Sequence, residues 1–144
     1  MMIFNVDEFR WSTHEGVPVQ PVFTTDAPPP AGHYSQGMIH QGLVFVSGQL
    51  PIDPVSGKPR VASIEEQTRL AIANVAAVLD AAGSSLDRVI KTTVYVSDID
   101  LWARVNAVYA ERFGDHRPAR AVVPSRDLHF GCQVEIEAVA AIDD

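Results

Sequence analysis

The spacing of apolar residues changes along the chain, and each change predicts an element. Val134, Ile136, Ala138 and Ala140 alternate with Glu135, Glu137 and Val139. A period of two belongs to a strand with one face buried, so a strand is expected over about 133–142. Val89–Val96 (VIKTTVYV) is dense in β-branched residues, which suit a pleated surface, and predicts a second strand. A third is expected over 119–125. Nearer the start, residues 38–40 and 43–47 flank Gln41-Gly42, the spacing of a tight hairpin. Residues 51–59 are rich in Pro, Gly and Asp and read as a loop.

Two helices separate these strands. Leu70, Ala71, Val75, Val78, Leu79 and Ala82 form one stripe at helical spacing. Ser63 and Glu66 stand where a capping box would open that helix, and Gly83 where a left-handed cap would close it. A second helix, capped by Asp98 or Asp100, runs through Leu101, Val105, Val108, Tyr109 and Phe113 to Gly114. The predicted order is β-β-α-β-α-β-β, an α+β fold with a hairpin at each end and both helices on one face of a sheet. Ser47, Thr92 and Glu135 are among the polar residues on these strands, and no third helix is available to cover the other sheet face. Association of copies is the cover expected on packing grounds.

Residues 1–26 read as an N-terminal arm, and residues 27–144 as the domain. The arm contains Phe4, Phe9 and Trp11, which are expected to dock on the same subunit or a neighbour. The APPPA run at 27–31 predicts an extended connector, because proline fixes φ and removes backbone donors. A length of 144 residues suits one domain.

Charge and composition narrow the partners. The net charge is −7, with no basic run. Phosphate binding draws on clustered Lys and Arg, so no broad nucleic-acid face is expected. Cys132 is the only cysteine, which rules out an intrachain disulfide and a thiolate metal set. The five histidines, His14, His33, His40, His116 and His129, show no HxH or HExxH spacing, so a metal ligand set is possible but has no support in the sequence. The first residues lack a basic start followed by an apolar core, and no segment approaches ~18 consecutive apolar residues. A cytoplasmic location is the default expectation.

Six motifs then occur in order: GHYSQG at 32–37, FVSGQ at 45–49, VIKTTVYV at 89–96, VNAVY at 105–109, PAR at 118–120 and VEIEA at 134–138. Together they resemble the RidA/YjgF family over about residues 27–142. The resemblance implies a chorismate-mutase-like fold, a homotrimer with its sheets around a central barrel, and active sites between subunits. It implies a cofactor-independent deaminase that hydrolyses reactive enamine or imine carboxylates, such as 2-iminopropanoate and 2-iminobutanoate, to 2-oxo acids and ammonia.

By the same resemblance Arg120 would grip the substrate carboxylate, a task suited to its planar fork of donors. Glu135 would position the attacking water. Tyr34, Ser47 and Asn106 would line the cleft, with backbone amides at Gly48 and Val122. Taken alone, an arginine after Pro-Ala is an ordinary surface residue, and Glu135 with Glu137 is an ordinary solvated face. The family pattern is broken by His33, Ala121 and Val122, and by residues 128–132 (LHFGC), whose His129 and Phe130 are placed to border the cleft. These departures bear on substrate. The extension at residues 1–26 and the altered 128–132 loop would fit a 2-aminomuconate deaminase of aromatic catabolism, and a trimer that binds a carboxylate metabolite without turnover is a further alternative.

Overall fold

The computed structural model describes residues 16–142. Its strands form one sheet in the order β1-β2-β3-β6-β4-β5. They are β1 (Gln20–Val22), β2 (Gly37–His40), β3 (Leu43–Gln49), β4 (Val89–Val96), β5 (Ala119–Pro124) and β6 (Val134–Ala141), with helices α1 (Ile64–Ala81) and α2 (Trp102–Phe113). Strands β2 and β3 meet through Gln41 and Gly42, at φ 49° and 76°. Two left-handed residues in a row make the turn whose twist matches a hairpin.

The second expected hairpin does not form. Strand β6 lies between β3 and β4, antiparallel to both, while β5 runs parallel to β4 at the sheet edge. Helix α2 accounts for the parallel pair, since it carries the chain back to the end of the sheet where β4 began. The inner residues of β6 are Val134, Ile136, Ala138 and Ala140, none more than 4% exposed, and the strand with that unbroken apolar row takes a central place. There is also one strand more than expected. Gln20–Val22, in the segment read as an arm, pairs with β2. It is too short to show a period, and its Pro21 is tolerated because the strand is an edge. The aromatics Phe4, Phe9 and Trp11 lie outside the described residues.

Both helices pack on one face. Ser63 Oγ accepts from the Glu66 N–H at 3.2 Å to open α1, and Gly83 follows its end at φ 81°. Asp98 caps a short 3₁₀ turn, Ile99–Leu101, that leads directly into α2. Val44, Val46, Val94 and Ile136 of the sheet join Val75, Leu79, Val105 and Phe113 of the helices in one core. Thr92 belongs to this face too, and its hydroxyl shares a 2.8 Å hydrogen bond with the Tyr109 hydroxyl. The opposite face carries Phe45, Thr93, Tyr95, Glu135, Glu137 and Val139, paired across strands. It is largely open, and Phe45 remains 45% exposed. Among the described residues no helix is long and apolar enough to cross a membrane.

Two buried amides hold the loops at one end of this sheet. Gln36 Nε2 donates to the carbonyls of Thr24 (3.0 Å), Ala27 (3.3 Å) and Pro28 (2.8 Å), and its Oε1 accepts from the Thr24 N–H. Asn74 Nδ2 donates to the carbonyls of Leu50 (3.0 Å) and Ile52 (2.9 Å). Loop carbonyls withdrawn from water need such donors.

Candidate active site

A β-bulge builds the first part of the site. Val46 pairs with Ala138 and Gln49 with Ile136, so three steps on β3 match two on β6. The extra residue lies in the Ser47-Gly48 stretch, and bulges of this kind re-aim the chain beside functional sites. Here the Gly48 backbone is brought against the Glu135 side chain. A Cβ added at Gly48 would overlap Glu135 Oε1 and lie 3.1 Å from its carboxyl carbon. Close approach explains the glycine, whose φ is not left-handed.

Ser47 secures the neighbouring loop. Its hydroxyl donates to the Ser35 carbonyl at 2.6 Å and its N–H to the Gln36 carbonyl at 3.0 Å. Tyr34, on that loop, accepts from the Ala31 N–H at 3.1 Å and is half-exposed. A cavity of about 480 Å³ opens between these residues, with Glu135, Gly48 and Tyr34 on its polar side. Pro28, Pro29, Leu50, Ile52 and Phe130 supply apolar wall, and His129 stands at the rim. The 128–132 loop therefore borders the cleft, as its sequence position suggests.

Burial pushes the Glu135 carboxyl above the ordinary range; His129 opposes this and the neighbouring charge of Glu137 adds to it. Burial, and then the charge of Glu135, raises the Cys132 thiol as well. A carboxyl whose pKa is higher folded than unfolded favours the folded state while protonated. That advantage is fully present below the unfolded pKa and is lost as pH rises through the folded one. Glutamine is neutral throughout. Glu135→Gln is therefore expected to be more stable than wild type at neutral pH, with the two converging below about pH 4. Denaturant melts at several pH values measure this, and a variant less stable at neutrality would contradict it.

The second part of the site lies elsewhere. Arg120 on β5 is in register with Thr92 on β4, so its side chain is on the helix face. The guanidinium lies over the Tyr109 ring, 4.6 Å from its centroid, and 5.8 Å from that of Trp102. Nη1 donates to Asn106 Oδ1 at 2.9 Å. No carboxylate forms an ion pair with Arg120 among the described residues. Val122, two residues on, shares this face and packs against the core. The Ser125 N–H points inward to the Val96 carbonyl at 2.8 Å. By strand alternation the amides of Arg120 and Val122 point off the sheet edge.

The seven expected site residues thus fall into two groups. Tyr34, Gly48 and Glu135 line one cavity, while Ser47 does not line it but bonds the loop that carries Tyr34; Asn106 and Arg120 share the α2–β5 surface, with Val122 two residues further along β5. Arg120 and Glu135 are on opposite faces of the sheet, since Glu135 is in register with Tyr95 and Arg120 with Thr92. The roles of Gln36, Asn74, Trp102 and Tyr109 were not foreseen. Trp102, Asn106 and Tyr109 follow one another at steps of four and three, a single helix face, and that spacing was the available signal.

The structure defines an α+β protein, one sheet backed by two helices, that holds a partly buried acid on one surface and an aromatic-clamped arginine on another. Residues 24–142 match the family model described as Endoribonuclease L-PSP. A RutC family protein of Pyrococcus horikoshii is 45% identical over 119 residues, 83% of this chain and 94% of the relative. A 2-iminobutanoate/2-iminopropanoate deaminase of Bos taurus is 38% identical over 119 residues, 83% of this chain and 87% of the relative. The crystal structure of E. coli TdcF with bound serine superposes with a TM-score of 0.82 at 36% identity, covering 86% of this chain and 99% of that one. The chain belongs to the RidA/YjgF family.

Proposed function

We propose that this protein is a cofactor-independent deaminase that hydrolyses enamine or imine carboxylates to 2-oxo acids and ammonia, acting in the cytoplasm as a homotrimer with its sites between subunits. The observation that carries the reading is Arg120, a guanidinium fixed by Asn106 and two aromatic rings at a sheet edge, with no carboxylate partner of its own among the described residues. Such a group is prepared for an external carboxylate. Glu135 cannot serve the same ligand within one subunit, so a neighbouring copy brings its edge to the Glu135 cavity and joins the two groups. The open sheet face supports the same association. The name of the bovine relative supports the substrate class.

In this reading Arg120 binds the carboxylate of the imino acid bidentately, with the Val122 amide and Asn106 alongside. Water adds to the carbon of the C=N bond. Glu135 accepts a proton from that water, and the nitrogen is protonated. The carbinolamine then collapses: its hydroxyl gives up its proton and the nitrogen takes one, with Glu135 as carrier, the C–N bond breaks, ammonia leaves, and the carbonyl of the 2-oxo acid forms. A carboxyl with a raised pKa suits a group that must take a proton and return it. No change of oxidation state occurs.

Two other readings are weaker. A 2-aminomuconate substrate has a second carboxylate, yet among the described residues of one subunit no Lys or Arg lines the cavity beside Glu135. RNA, suggested by the family model's description, is disfavoured by a net charge of −7 without a basic run. The test generates 2-iminopropanoate from alanine with an amino-acid oxidase and follows its disappearance, while sedimentation gives the mass. The expected result is hydrolysis faster than in buffer by a particle of three subunits. A stable monomer, or hydrolysis no faster than in buffer, would overturn the proposal; the latter with retained ligand binding would point to a non-catalytic trimer.

A further inference from the structure

We infer that the cavity beside Glu135 selects 2-imino acids bearing a large apolar side chain, branched aliphatic or aromatic, and that Phe130 is the specificity-determining residue. This rests on the reading of the site given above and narrows its substrate class.

Phe130 occupies its place against two local preferences. Its backbone is left-handed, at φ 63° and ψ 22°, a conformation unusual for an aromatic residue. Its side chain is 58% exposed. A loop that had only to close the 3₁₀ turn at His129–Gly131 could use glycine or asparagine, which enter this region more easily and expose no ring. An outlier at the mouth of a cavity is grounds for a functional hypothesis. The ring is tilted 45° to that of His129, with centroids 5.8 Å apart, and forms one wall of the cavity.

The other apolar residues of the lining are fixed through their backbone. Pro28 is fixed through its carbonyl by Gln36, and Leu50 and Ile52 through theirs by Asn74. Both amide side chains belong to residues only 1% exposed. The wall is therefore preformed and does not depend on ligand to order it.

The chemistry of an imino acid decides which of its parts meets this wall. Its carboxylate and C=N carbon need the arginine and Glu135. Only the side chain remains to face Pro28, Leu50, Ile52 and Phe130. A methyl group is too short to cover this lining and leaves water against it. Side chains of leucine or phenylalanine size exchange that water for apolar contact, and each further methylene in such a pocket is worth roughly tenfold or more in discrimination.

The test uses the full chain and imines generated in place from alanine, leucine and phenylalanine, comparing kcat/KM for each. Wild type is expected to favour the leucine- and phenylalanine-derived imines over the alanine-derived one by at least about tenfold. Phe130→Asn keeps a residue that tolerates the left-handed backbone, and is expected to remove most of that preference. Leu50→Ala, which shortens another residue of the lining, is expected to reduce it independently. A wild-type preference for the alanine-derived imine, or a preference that both variants retain, overturns this inference and leaves the deaminase reading standing. Failure of wild type to accelerate any of the three overturns the deaminase reading, and this inference with it.

Discussion

Arg120→Ala is expected to lower kcat/KM for imine hydrolysis by roughly 10²-fold or more, with little change in stability. The substrate carboxylate is charged before reaction begins, and truncating one partner of a hydrogen-bonded charge pair commonly costs about 2–5 kcal/mol, on the order of 10²–10³-fold. Against this, the folded subunit loses little. Arg120 has one hydrogen bond, to Asn106 at 2.9 Å, and the two ring contacts. At a partly exposed site such contacts contribute on the order of 1 kcal/mol each or less, a shift in Tm of a few degrees. Arg120→Lys should recover only part of the activity, because an ammonium offers a point charge in place of two parallel donors. Thermal melts, sedimentation and the imine assay on the three proteins separate the roles. An arginine that merely braced α2 against β5 would give the opposite split, with a lowered Tm and kcat/KM nearly intact. That result would remove Arg120 from the site.

The parts of the fold that could be read directly are those in which the signal is periodic. The stripe from Leu70 to Leu79 lies on α1 and Ala82 caps it, and five of the six stripe residues are buried. The alternation along β6 correctly puts Glu135 and Glu137 on one face, away from the core. Periodicity assigns a face but not a neighbour, and so the insertion of β6 between β3 and β4 was hidden. Thr92 illustrates another limit. The register of β4 shifts between Val89 and Lys91, which breaks the alternation of VIKTTVYV where the polar residues begin. Gln36 has no periodic partner at all. Its role could have been suspected from the proline-rich segment before it, whose carbonyls have few local donors and must find them elsewhere. The motifs name the candidate site residues, yet their division between two surfaces depends on strand register and cannot be read from order along the chain.

Gly48→Ala is the second substitution with a large expected effect, about 10²-fold in kcat/KM. The added methyl would overlap Glu135 Oε1, with the carboxyl carbon at 3.1 Å and Cγ at 3.3 Å. All three atoms belong to a flexible side chain, so the carboxylate can swing aside without moving the backbone. The cost in stability should therefore be small. Position is what is lost, and displacing a reacting group by about 1 Å can cost on the order of 10²-fold. Shortening the acid provides the control. Glu135→Asp alone should also be impaired, since its carboxylate falls short. In Gly48→Ala/Glu135→Asp the smaller side chain makes room for the methyl, so the second substitution should cost much less than it does alone, or even restore activity. A coupling of that sign is the signature of contact between the two positions. Simple additivity, or a Gly48→Ala enzyme as active as wild type, would mean that the bulge does not hold Glu135 for its work on water.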